Sequence, residues 1–161
     1  MIYGFGLCDM QEFYHDGFQV SGYLVNIPNQ ALAQEIIQKA WHKCMKEGLI
    51  RQIENVDNPS VHAVYYNYKK LANGDFGYDM LIGYATKIGS VQSKAEFVDI
   101  SIPEQNYMYK EISGDFQSIL KTEWDSINSL PKSELNRSYG YDLEMYSEDY
   151  KTCTIAVAVI K

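Results

Sequence analysis

The strongest constraint on this chain is a pattern written twice. Turn residues and apolar periodicities spell strand, helix, strand, strand over residues 18–88, and again over 105–160. Duplicated units of this kind bury their apolar faces together, so the repeat predicts one α+β domain. Its expected form is a duplicated β-α-β-β repeat: one antiparallel sheet, two helices on one face and a central ligand groove where the halves meet.

The first copy opens with FQVSGYLVNI (18–27), rich in branched and aromatic residues as strands are. Pro28 and Asn29 punctuate it, and Asn29 is a good N-cap. Leu32, Ile36, Ile37, Ala40, Trp41, Cys44 and Met45 then recur at helical spacing, predicting a helix over 30–47 that stops at Gly48. Strands follow at 61–68 and 77–88, parted by the turn residues Asn73, Gly74 and Asp75, with Gly83 a candidate bulge. Residues 96–102 read as a further extended piece. In the second copy, 105–112 is strand-like and Ser113-Gly114-Asp115 opens a helix. Its stripe is Phe116, Ile119, Leu120, Trp124, Ile127 and Leu130, and Pro131 ends it. Strands at 139–146 and 152–160 close the chain. The last is almost continuously apolar, which predicts burial on both faces.

Charge and cysteines narrow the partners. The net charge is −7, and the 14 Lys and Arg residues are scattered, so a direct nucleic-acid grip is not expected. No apolar run reaches a membrane-spanning length. Residues 1–10 include Asp9 and no basic stretch, which argues against a secretory signal. Cys8, Cys44 and Cys153 form no CxxC and no zinc pattern with His15, His42 and His62. Reduced thiols in a cytoplasmic protein, with no metal and no cofactor, are the expectation.

Glu144 is the residue the pattern singles out. Alternation puts Asp142, Glu144 and Tyr146 on one face of their strand and Leu143 and Met145 on the other, with the latter pair expected in the helix-packed core. A solvated sheet face explains such a carboxylate plainly. The alternative is a carboxylate lining a cavity among the chain's 14 tyrosines. Candidate neighbours are Tyr65 by the repeat, Tyr107 or Tyr109, Tyr139 or Tyr141, and Tyr146. His62 lies near Tyr65 in sequence and could approach the same place.

Residues 107–146 carry a resemblance. Tyr107 to Tyr109, Gly114, Thr122 to Trp124, the turn Leu130-Pro131-Lys132-Ser133 and the strand Asp142-Leu143-Glu144-Met145-Tyr146 follow one another as in the C-terminal half of GyrI-like effector-binding domains. That group includes the effector-binding domains of AraC-type activators. Residues 18–88 resemble its more variable first half, and residues 1–17 are an extension without a counterpart. Leu143 stands where an aromatic is usual, and Glu123 separates Thr122 from Trp124. The resemblance implies binding of hydrophobic, aromatic or cationic small molecules in a groove centred on Glu144. Tyr146, Tyr65, Tyr107, Tyr109, Tyr141 and Trp124 are the expected walls. It also implies alternatives: hydrolysis of electrophilic cyclopropane-type genotoxins with Glu144 as the catalytic carboxylate, or a regulatory protein partner, as for a gyrase modulator. Many such domains are fused to a DNA-binding module, but no helix-turn-helix pair is legible here.

Overall fold

The computed structural model describes residues 10–161. Cys8 and the first nine residues, on which the signal-peptide expectation and most of the extension fall, lie outside them. The elements run β1 (Gln11–His15), β2 (Phe18–Ile27), α1 (Gln30–Trp41), a π turn (His42–Lys46), a 3-10 turn (Leu49–Gln52), β3 (Val56–Lys70), β4 (Phe76–Thr86), β5 (Val98–Ile102), β6 (Gln105–Ser113), α2 (Phe116–Ser129), β7 (Asp142–Tyr146) and β8 (Thr152–Val159).

All eight strands join one antiparallel sheet in the order β1-β6-β8-β7-β3-β4-β2-β5. The duplication is plain in that order. Copy one contributes β2-β4-β3, copy two contributes β6-β8-β7, and the copies meet where β3 pairs with β7. Ala63 faces Glu144 across this seam, Val61 faces Tyr146, and Tyr65 faces Asp142. A pseudo-twofold axis therefore passes near Ala63 and Glu144, and it relates Tyr65 to Tyr146.

The sheet has to curl. β1 occupies one edge and β2 lies beside the other, yet only Asp16 and Gly17 link them. Pro103 and Glu104 make the same link from β5 to β6. Gly22 and Gly83 help, because they pair directly across β2 and β4. A Cβ on Gly83 would sit 1.9 Å from the Ser21 carbonyl oxygen, and one on Gly22 would sit 2.2 Å from that of Ile82. Only glycine permits so close a backbone approach. Gly83 is not a bulge: the β2–β4 register runs unbroken through it, and the irregularities lie in β3, around Val56–Val61 and Tyr66–Lys69.

Both faces of the curled sheet are buried. One packs under the helices, with Ala33 and Ala40 of α1 and Ile127 of α2 against Ile27, Ala63, Met80, Ile82, Ile155 and Val157. The other closes on itself around Val20, Val64, Leu81, Tyr107, Leu143 and Ala156 and takes in no helix residue. This reverses one expectation. Leu143 and Met145 pack on the helix-free face, and Glu144 and Tyr146 point toward the helices. Alternation fixed which residues share a face; it could not say which face the helices cover when both are apolar.

Local signals explain the helices. The Asn29 side chain accepts a hydrogen bond from the Leu32 N–H at 3.0 Å, capping α1. Beyond Trp41 the α pattern widens to a π turn, closed by the Glu47 N–H on the His42 carbonyl, and Gly48 at φ 74° ends it. Residues 139–141, expected as strand, form a bend instead, with Tyr139 in the left-handed region at φ 55°.

Candidate functional site

Glu144 lies mid-strand on β7, at the seam between the copies and under both helices. It is 3% exposed. Oε1 accepts from the Tyr146 hydroxyl at 2.6 Å, and Oε2 accepts from the Trp124 indole N–H at 2.7 Å. The Tyr65 hydroxyl also interacts with it. Burial raises the Glu144 pKa, and these three hydrogen bonds pull it partly back. Its charge in turn adds to the burial that holds the Tyr65 and Tyr146 phenols well above their ordinary values.

The rings around it follow the pseudo-twofold. Trp41 at the end of α1 meets Tyr146 edge-on, with centroids 5.3 Å apart, and Trp124 of α2 meets Tyr65 edge-on at 5.7 Å. Phe116 also meets Tyr146 edge-on at 5.7 Å, and Tyr78 meets Tyr65 edge-on at 5.9 Å. A Trp–Tyr pair thus flanks each side of the axis, with Phe116 and Tyr78 added from elements the repeat does not relate. Charge lies to one side of the axis, because the position that corresponds to Glu144 is Ala63. The space immediately before the carboxylate is occupied by the Trp124 indole itself.

Two residues away on the same face, Asp142 is fully buried and differently served. It accepts from Arg137 Nη2 at 2.7 Å, the Tyr68 hydroxyl at 2.6 Å and the Ala158 backbone N–H at 2.8 Å. The Arg137 guanidinium lies 4.5 Å above the Tyr139 ring and 5.9 Å from that of Tyr68, while Tyr139 stacks on Phe76. A third buried acid, Glu123 of α2, is bound by Lys110 at 3.0 and 3.1 Å. Among these buried carboxylates, Glu144 alone has only neutral donors and no cation among the described residues.

The structure therefore brings Glu144, Tyr146, Tyr65 and Trp124 together. It does not bring Tyr107, Tyr109 or Tyr141 to them, because those lie on the helix-free face. There Tyr107 stacks on Phe13, Tyr109 meets the edge of Phe13, and Tyr141 stacks on Tyr66. His62 is on that face too. It is buried, with Nδ1 2.8 Å from the Ser60 carbonyl, and burial lowers its pKa. Trp41, Phe116 and Tyr78 complete the walls and were not singled out from sequence. By their spacing Trp41 and Phe116 read as helix core. The signal for Trp41 is the repeat, which matches it to Trp124. Among the described residues no cluster of His, Cys, Asp and Glu is placed to hold a metal, and no helix is long and apolar enough to cross a membrane.

A twice-written β-α-β-β sheet, with an acid buried between paired helices, has the layout of the GyrI-like effector-binding proteins. More narrowly, residues 13–159 match the Cass2 family of integron-associated effector binding proteins, and the chain belongs to that family. No curated protein matches it in sequence. Its fold is similar to that of an integron cassette protein from Vibrio cholerae, with 21% identity, a TM-score of 0.73, and coverage of 94% of this chain and 96% of that one. SAV2435, solved bound to tetraphenylphosphonium, is similar at 16% identity and a TM-score of 0.74, covering 94% and 93%. The C-terminal domain of EcmrR is similar at 11% identity and a TM-score of 0.58, covering 94% and 97%.

Proposed function

We propose that the chain binds hydrophobic cations bearing aromatic groups, between its helices and over the β3–β7 seam, with Glu144 as counter-charge. It does so either to sequester them or to sense them as effectors. The observation that carries this reading is the uneven treatment of the buried acids. Arg137 and Lys110 neutralise two of them, and the third keeps an uncompensated carboxylate among rings. Removing a carboxylate from water is costly, and an apolar cation offsets that cost where neutral donors do so only in part. Ring faces add about 0.5–2 kcal/mol each to a desolvated cation. The Asp142–Arg137–Tyr139 arrangement is the same recognition in miniature, with the chain's own guanidinium as cation. SAV2435, a structural relative, was solved with a cation of this class.

The pseudo-twofold refines the ligand. Matched Trp–Tyr walls on either side of one off-axis charge suit a central cation with aryl groups on opposing sides. Such a ligand must displace the Trp124 N–H from Oε2, so binding and Trp124 fluorescence are coupled. Titration with tetraphenylphosphonium, against triphenylphosphine oxide as an uncharged comparison, tests the reading. The cation is expected to bind at least about tenfold more tightly, a difference of ~1.4 kcal/mol. Equal affinities would remove the charge from the account.

The raised Glu144 pKa also favours a second reading, in which the carboxyl exchanges a proton with an electrophilic substrate beside Tyr65. That reading requires turnover with substrate in excess over protein; a plateau at one equivalent rejects it.

A further inference from the structure

We propose that the groove between α1 and the outer edge of β2 is a second small-molecule site, independent of Glu144, and that it takes a flat aromatic anion. β5 pairs with β2 only from Phe18 to Gly22, so among the described residues the outer edge of β2 beyond Gly22 carries no paired strand. Beside this open stretch, α1 and the π turn border an open groove of about 370 Å³. Tyr23 and Val25 of β2 line it together with Ile36 and Ala40 of α1. That size suits a fused-ring molecule.

The rim has the opposite character to the central site. Lys39, His42 and Lys43 line the mouth with Glu47, and Glu35 and Glu96 stand behind the two lysines. Lys43 Nζ lies 5.0 Å above the Tyr23 ring. The lysines already have carboxylate neighbours, Glu35 at 2.9 Å from Lys39 and Glu96 at 3.6 Å from Lys43. Glu47 is taken up by His42 at 3.2 Å. All of these pairs are solvent-exposed, and such pairs contribute little, so either ammonium is free to turn to a bound anion. A planar aromatic carboxylate would lay its rings between Tyr23 and Ile36 and its charge between Lys39 and Lys43. The π turn supports the assignment. It breaks regular α-helical bonding where it carries His42 and Lys43 to the mouth, a departure often found at functional sites.

The test is amide-resolved NMR titration of the full chain with naphthoate, alongside uncharged naphthamide. Saturable shifts centred on Tyr23, Val25, Ile36 and Ala40 are expected, with naphthamide clearly weaker. Lys43→Glu should weaken naphthoate by about fivefold or more, Lys39→Glu should act in the same direction, and Glu144→Gln should leave it within about twofold. Absence of saturation, shifts centred on Trp124 and Tyr65, equal binding of naphthamide, or indifference to both lysine substitutions would each overturn the proposal.

Discussion

The indole N–H of Trp124, on α2, is donated to Oε2 of Glu144, on β7, at 2.7 Å. The helix thus sets one of its own side chains against this carboxylate. In the proposed binding mode Trp124 would be both a wall of the site and an internal competitor for Glu144. Neighbouring Glu123 holds the same stretch of helix to the sheet through Lys110.

Trp124→Phe keeps a ring and removes the donor. The Glu144 carboxylate then loses one of its hydrogen bonds, which is expected to cost about 1–3 kcal/mol of stability. Affinity for tetraphenylphosphonium should rise, because nothing has to be displaced from Oε2. Urea denaturation and a binding titration on the same sample check both halves; reduced affinity with an intact fold would contradict the competitor role.

The pH dependence follows from the raised Glu144 pKa. An acid whose folded pKa lies above its unfolded value, about 4.3, favours folding below that value. This contribution is lost as pH rises through the folded pKa. The stability of Glu144→Gln relative to the parent should therefore grow from pH 4 upward and level off once Glu144 is ionised. Cation binding should weaken on acidification at a pH above the usual glutamate range. Stability curves and titrations across pH test the two signs together.

Arg137→Met should behave oppositely. It leaves Asp142, fully buried, with Tyr68 and the Ala158 N–H but no cation. Breaking one side of a buried pair is expected to cost about 3–5 kcal/mol. A loss below about 1 kcal/mol would mean that the guanidinium does not neutralise this acid.

Gly83→Ala tests the curl of the sheet. The added methyl would meet the Ser21 carbonyl at 1.9 Å, and backbone cannot yield as a side-chain tip can. A destabilisation of about 3 kcal/mol or more is expected by thermal or chemical unfolding. Gly74→Ala, with open space around its Cβ but φ 92°, should cost less, since only backbone strain opposes it.

Much of this was legible in the residues, and the failures have physical causes. The helical stripes and the repeat placed both helices and the seam, and the repeat brought Tyr65 to Glu144. Alternation along β7 grouped Glu144 with Tyr146 correctly, but it assigned Leu143 to the wrong layer because the curled sheet buries both faces. Tyr107, Tyr109 and Tyr141 lie apart from Glu144 for the same reason. Each is a plausible wall by composition, and each is sent to the other face by its register with β8 or its packing on Tyr66. The Arg137–Asp142 pair left no local signal, since it depends on how the polar loop after α2 folds back over β7.

The central claim is that an unneutralised carboxylate between two aromatic walls selects hydrophobic cations. Calorimetric titration of the parent and of Glu144→Gln with tetraphenylphosphonium tests it most directly. The account predicts saturable binding to the parent, and an affinity lower by at least about tenfold in the variant, which should stay folded and be no less stable near neutral pH. Equal affinity in the two proteins would contradict it.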